Sequence, residues 1–302
     1  MEEALEQVEA SLHALGTGQA RNQPRRRIRL PSGMMHVMSA GDGELGYFGH
    51  KVYTTTRQGA KFLVTLYNAA DGRPVAVLEA GLLGAIRTGA ASGIATKYLA
   101  NPAAAVLGVL GAGRQSPTQI QAICAVRPIE QVLVYSRNPE RREAFAQEMA
   151  ISLGIPVTAA DSAQAAVETA DVVAAITDSK RPVLAGAWLK PGAHVNAAGN
   201  NMLAEQELDS EVFQRAWLVT TDSLEGAKIE CGDLLAATEP GIVHWEDVVE
   251  IGQVVAGRHP VARPADAITV YESQGIAAED LYVAVHVLHK AEGEGIGVEL
   301  PF

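Results

Sequence analysis

This 302-residue chain predicts a mixed α/β fold, a doubly wound parallel sheet inserted in a second, discontinuous α+β domain. Three observations predict it. From position 105 to 222, six short apolar runs alternate with helical stretches, as expected of parallel strands with helices on both faces. From Ile28 to Leu78 the pattern is different: β-rich runs such as KVYTTT and KFLVTLYNA are broken by the turn signals AGDGE and AADGRP. The tail, DAITVYESQGIAAEDLYVAVHVLHKAEGEGIG, reads as a strand, a glycine turn and a long amphipathic helix.

The elements follow in order. MEEALEQVEASLHAL places Leu5, Val8, Leu12 and Leu15 close to one helical face, with Gly16 as the expected stop. After the β-rich region, GLLGAIRTGAASGIATKYLA has the small-residue periodicity of a packed helix, halted by Asn101-Pro102. The six apolar runs lie near 105–110, 131–135, 155–159, 171–176, 193–198 and 217–222, with helices expected over 115–126 and 138–150. Residues 1–99 plus 272–302 are therefore expected to form the discontinuous domain, and 100–271 the inserted one.

Hydrophobic residues make up 48% of the chain and charged residues 20%, the balance of an ordinary globular protein. A net charge of −11 argues against a nucleic-acid or anionic-membrane surface as the main activity. Only Cys124 and Cys231 are present, far apart, which speaks against a disulfide framework and against a cysteine-based zinc site. No apolar run reaches the ~18 residues of a membrane span, and the acidic N-terminus lacks a basic n-region. A cytoplasmic protein is expected.

AVLGVLGAGRQSPTQIQAI sets Gly111-Ala112-Gly113 directly after a strand and before a helix. Glycines there let the backbone approach a pyrophosphate, and the helix N-terminus receives its negative charge. Ser116 replaces the third glycine of the dinucleotide fingerprint, and a plain strand-to-helix turn would use the first two alike. The order of the strands that follow favours the dinucleotide, so the insert is read as Rossmann-type. Its second strand, in VLVYSRNPERR, ends on Ser136, Arg137 and Asn138, where NAD-binding units usually carry an Asp or Glu for the ribose hydroxyls. Neutral donors and a guanidinium suit a 2′-phosphate, so NADP(H) is the preferred cofactor and NAD(H) the possible one. The plainer alternative is a solvated Arg137 opening a helix, with Arg141 and Arg142 as surface charges.

Outside the insert, Arg87 lies among residues too small and apolar for a solvated face, so its charge wants an anion such as a substrate carboxylate. Lys51 precedes a β-run and could bind substrate or pass a proton, while Arg27 belongs to the run RRRIR; both could equally be solvated. His286 and His289 are spaced i, i+3 on the last helix, but no carboxylate or cysteine pattern supports a metal. The chain has no G-x-S-x-G elbow, HExxH or Walker loop.

Taken together, GHKVYTTTRQG, LEAGLLGAIRTGAASGIATKYLA, LGVLGAGRQSPTQIQAI, HVNAAGNNMLAEQELD and VYESQGIAAEDLYVA resemble the ornithine cyclodeaminase/mu-crystallin family, in family order over nearly the whole chain. The resemblance implies a homodimer, an inserted Rossmann domain and a nicotinamide cofactor acting on α-amino or α-imino acids. It further implies that Arg87 meets substrate and cofactor. Lys51 would bind substrate and is the candidate proton donor. One of Arg25 to Arg27, best Arg27, would bind a carboxylate. Arg114 and Gln115 would hold the pyrophosphate with Gly111 and Gly113. Thr177, Asn200 and Ser273 would line the nicotinamide side. One departure matters: Asn200 stands where the cyclodeaminases carry an aspartate, and an amide does not cycle a proton at neutral pH.

The leading expectation is therefore NAD(P)H-dependent reduction of a cyclic or acyclic α-imino acid, or the reverse amino-acid dehydrogenation. Two others stand beside it: a cyclodeaminase releasing ammonia with no net change in cofactor, and a non-catalytic NADPH- and ligand-binding protein. Retention of Arg87 and Lys51 argues against the last.

Overall fold

The computed structural model describes residues 1–300. Helix α1 (Glu2–Thr17) leads into an antiparallel meander of β1 (Ala20–Leu30), β2 (Gly33–Asp42), β3 (Tyr47–Thr56), β4 (Gly59–Asn68) and β5 (Pro74–Glu79), neighbours in that order, followed by α2 (Gly81–Leu99). The chain then runs β6 (Val106–Leu110), α3 (Ser116–Val126), β7 (Gln131–Tyr135), α4 (Pro139–Leu153), β8 (Val157–Ala159), α5 (Ala163–Val167), β9 (Val172–Ala175) and β10 (His194–Ala197). It continues through α6 (Ser210–Arg215), β11 (Ala216–Thr221), α7 (Leu224–Glu230), α8 (Gly232–Thr238), β12 (Val249–Glu250) and α9 (Ile251–Val255) to β13 (Ile268–Glu272). Helix α10 (Ala277–Gly293) returns to pack on the antiparallel sheet beside α1 and α2.

All pairings in the second sheet are parallel, in the order β12-β11-β13-β10-β9-β6-β7-β8. The fold is thus the expected one, and all six apolar runs became strands. The chain steps from β6 to β7 in one direction and later fills β9 and β10 on the other side. The switch point, where open α/β sheets bind ligands, falls at the end of β6, where the glycine turn begins.

Two boundaries differ from expectation. Helix α1 ends at Gly18, whose φ of 81° is the left-handed stop, and not at Gly16. Gly16 is small for another reason: a Cβ there would run into the backbone carbonyl of Gly252 at the start of α9. Strand β1 begins at Ala20, eight residues before the expected β-region, because the polar run NQPRRR pairs with β2 through its backbone. A register shift between Gln23 and Arg26 accommodates Pro24, which has no N–H to give the ladder.

The small residues of α2 are explained by close packing on α3, since a Cβ at Gly89 would collide with the Thr118 carbonyl. Residues that follow the parallel strands β10 and β13 and residues of the meander line one cavity between them. No helix among the described residues is long and apolar enough to cross a membrane.

Candidate active site

Two adjoining cavities lie where the sheets meet. The first, of 480 Å³, is walled by the loops after β6, β7 and β9. Gly111 has a φ of 115°, and a Cβ on it would strike the Ile176 carbonyl; Gly113 faces open space on the side where a Cβ would stand. Ser116, in place of a third glycine, accepts a hydrogen bond from Gly113 N at 3.0 Å and closes the turn. Arg114, Gln115, Ser136, Arg137, Asn138 and Thr177 all line this cavity. Arg137 is largely exposed, its Nη2 3.6 Å from Asp178. Asn138 caps α4 by accepting from Arg141 N at 2.9 Å, and Arg141 also faces the cavity. Arg142 is no surface charge: it is buried, lies over the Tyr135 ring and donates to Ser136 O at 2.9 Å.

The second cavity, of 330 Å³, shares Arg114, Gln115 and Gly199 with the first, so the two adjoin. Lys51 enters it from β3 and Arg87 from α2. Both are buried and meet one carboxylate: Asp280 Oδ1 accepts from Lys51 Nζ at 2.8 Å and from Arg87 Nε at 3.0 Å. Arg87 Nη1 donates to Glu279 Oε2 at 2.9 Å, which leaves Nη2 without a partner among the described residues. Glycines make room for the cations, for a Cβ would stand 3.1 Å from Lys51 Nζ at Gly84 and 2.6 Å from Arg87 Nη1 at Gly275.

These contacts shift the titrations. Burial brings Lys51 down to about 8, with Arg87 and Arg25 adding repulsion and Asp280 opposing. Burial would raise Asp280, but Arg87 and Lys51 hold it below the usual carboxylate range. Burial raises Glu279, with Asp222 and Asp280 adding repulsion and Arg87 opposing. Arg87 stays charged because Asp280 and Glu279 outweigh its desolvation. The result is a cavity wall with a permanent cation and one lysine poised to give up a proton near neutral pH.

Of the arginine run, Arg25 and not Arg27 reaches this cavity. Arg25 is consumed by structural contacts: Met38 Sδ at 3.3 Å, the carbonyls of Gln274 and Gly275 at 2.8 and 3.1 Å, and the buried Glu230. Arg27 donates to His36 Nδ1 at 3.2 Å and Asn201 O at 2.8 Å, with Glu230 3.4 Å away. Desolvation, Arg27 and Arg25 push His36 down to about 4, so its ring is neutral and carries its proton on Nε2, facing Thr55.

Asn200 lines the second cavity and donates to Ser179 O at 3.1 Å. Thr177 is tied to Glu207, and Ser273 lines the second cavity with its buried Oγ unpartnered among the described residues. Sequence reasoning missed Asp280, Glu279, Glu207 and Glu230. The first two carried a signal: adjacent acids inside the apolar stretch AAEDLYVAV, on a helix whose first turns are buried all round.

The sequence profile of the ornithine cyclodeaminase/mu-crystallin family matches residues 1–295. A Δ1-pyrroline-2-carboxylate reductase of Bacillus cereus is 35% identical over 84% of this chain and 80% of its own. The Δ1-pyrroline-2-carboxylate reductase of Thermococcus litoralis, solved with NADH and L-proline, superposes with a TM-score of 0.94 at 32% identity, covering 99% of this chain and 96% of the other. An archaeal alanine dehydrogenase, a dimer with bound NAD, gives 0.94 at 30% identity over 100% and 95% of the two chains. The chain belongs to the ornithine cyclodeaminase/mu-crystallin family.

Proposed function

We propose that the protein is a nicotinamide-dependent oxidoreductase that reduces an α-imino acid to the L-amino acid, or runs the reverse dehydrogenation. The observation that carries this reading is the Lys51–Asp280–Arg87 cluster on the wall of the smaller cavity, which adjoins the cleft built on the glycine turn. The residues present fit the cofactor: the glycine turn leaves room at Gly113, the α3 N-terminus faces the cleft, and Gln115 Oε1 and Ser273 Oγ are buried acceptors without partners. When bound, a nicotinamide supplies or accepts the hydride. Arg87 Nη2 binds the substrate carboxylate, while Lys51 Nζ meets the imine nitrogen and gives it its proton. The assay is oxidation of NADPH and NADH with Δ1-pyrroline-2-carboxylate, Δ1-piperideine-2-carboxylate and pyruvate plus methylamine. No turnover with any of them would overturn the proposal.

Cyclodeamination is less well supported. Asn200 cannot serve as acid or base, and among the described residues no Asp or Glu lines the second cavity to meet a side-chain ammonium.

Within this reading NADPH is preferred over NADH, because Ser136, Arg137 and Arg141 line the cavity together and the loop leaving β7 carries no acid in Ser136–Asn138; Asp178, from the loop after β9, is the carboxylate that faces Arg137. Arg137→Ala should weaken NADPH about tenfold, about 1.4 kcal/mol, and leave NADH unchanged. The modest size reflects the solvent exposure of Arg137. Fluorescence titration of both cofactors checks it, and equal wild-type affinities would refute the preference.

The outer face of the meander exposes five large apolar side chains, Ile28, Leu30, Phe48, Leu63 and Val77. We assign it to a homodimer interface, which the dimeric archaeal relative supports. Leu63→Asp should give a monomer by light scattering; a wild-type monomer at micromolar concentration would refute the assignment. The acidic, cysteine-poor composition fits a cytoplasmic setting.

A further inference from the structure

Beneath the junction of the two cavities lies Glu207, a carboxylate 1% exposed that touches neither proposed substrate group. Its two oxygens serve two different loops. Oε1 accepts from Thr177 N at 2.7 Å and from Thr177 Oγ1 at 2.6 Å, at the end of β9. Oε2 accepts from Gly199 N at 2.8 Å, at the end of β10. Thr177 lines the first cavity, Gly199 lines both, and the next residue, Asn200, lines the second.

The rest of Glu207 is anchored on the side away from the cleft. Its N–H donates to Asp233 Oδ1 at 2.9 Å, and its carbonyl accepts from Val183 N and Leu184 N at 2.8 and 3.0 Å. Asp233 sits in the first turn of α8, so the strut runs from that helix to the cavity floor. A second link closes the circuit: Ser179 N donates to Thr177 Oγ1 at 3.1 Å, and Ser179 O accepts from Asn200 Nδ2. There is no slack at the crossing point, since a Cβ on Gly199 would collide with both Glu207 and Thr177.

We propose that Glu207 is a positioning residue that sets the spacing between the β9 and β10 loops, and so the seat of the dinucleotide's nicotinamide end. The proposal rests on the nicotinamide reading above. Only a carboxylate does this job. Both loops present N–H groups, and each needs an oxygen; glutamine has one oxygen and would turn its NH2 against one of the two N–H donors. A buried N–H left facing another N–H is costly, so one loop must move away.

The test compares wild type with Glu207→Gln, read by melting temperature, by fluorescence titration with NADPH and NADH, and by the KM for Δ1-pyrroline-2-carboxylate. Glu207→Gln is expected to bind both dinucleotides about tenfold or more weakly, the effect of losing a charge-assisted bond, with a smaller change in the imino-acid KM. A purely structural role would lower the melting temperature without changing the affinity of the folded protein, and that result overturns the proposal. If Glu207→Gln does not fold, Thr177→Val decides. It removes the hydroxyl and keeps the N–H, so it should weaken both dinucleotides about threefold, and wild-type affinity there overturns the proposal. A wild-type protein that binds neither dinucleotide overturns the nicotinamide reading itself, and this proposal with it.

Discussion

Lys51→Met lowers kcat for imino-acid reduction by ~10²–10⁴-fold, the range for loss of a positioned proton donor, with a smaller effect on KM. The geometry gives the reason for the split. Lys51 is held by Asp280 at 2.8 Å, so its ammonium is oriented before substrate arrives. Burial brings it down to about 8, so near neutral pH it is charged yet gives up its proton more readily than a solvated lysine. The sign of the pH dependence follows. Reduction needs the protonated lysine, so the wild-type rate falls as pH rises through about 8. Dehydrogenation needs the neutral amine and rises over the same range. Lys51→Met should lack both limbs. Near-normal kcat in Lys51→Met, or an unchanged alkaline limb, would assign protonation to water or to an imine already protonated in solution.

The lysine and arginine of this cluster were legible in the sequence, and their carboxylate partners were not. Arg87 stood out because a guanidinium among Gly, Ala and Thr has no solvated face to occupy, and the structure places it in a buried cluster. Its partners lie 192 and 193 residues further along, and that of Lys51 lies 229 away. Periodicity cannot reach such distances. It can say only that α10 is amphipathic, and that reading puts its acids in water, whereas Glu279 and Asp280 are buried. The arginine run shows the same limit at short range. Alternation puts Arg25 and Arg27 on one face, but which of them reaches the cavity depends on the shift at Pro24 and on Glu230.

Chemistry written in backbone geometry was more accessible. The strand order and the glycine turn follow from local rules, a strand leading into a helix with positive φ at Gly111, and these need no distant partner. Glu207 was invisible for the opposite reason. In AEQELD it is one acid among several, and only the folded chain shows that its oxygens meet two N–H groups from different strands.

Arg87→Met is expected to damage the fold as well as the site. Arg87 is the shared partner of two carboxylates that are 0% and 1% exposed. Removing it leaves Glu279 with no cation and Asp280 with Lys51 alone, and breaking a buried pair from one side costs roughly 3–5 kcal/mol. The loss should depend on pH with a definite sign. In the wild type Asp280 is held below its ordinary range, so its contribution is present at neutral pH and disappears only as pH falls through that low value. Glu279 is already raised in the wild type and contributes to both proteins in the same direction. In Arg87→Met Asp280 also loses one of its two cations and moves up, so the variant's folded state binds more protons than the wild type's and its stability falls more steeply as pH rises. The stability gap between the two proteins should therefore narrow on going from about pH 7 to about pH 5, measured by urea unfolding at each pH. Arg87→Lys separates the fold from the chemistry. It keeps a cation between Glu279 and Asp280 but gives up the planar fork whose Nη2 meets the cavity. That variant should remain folded while the KM for Δ1-pyrroline-2-carboxylate rises by about tenfold or more, the scale of one lost charge-assisted bond. A folded Arg87→Lys with wild-type KM would show that Arg87 only neutralises buried acids, and would leave Lys51 as the sole carboxylate anchor among the cavity's buried cations.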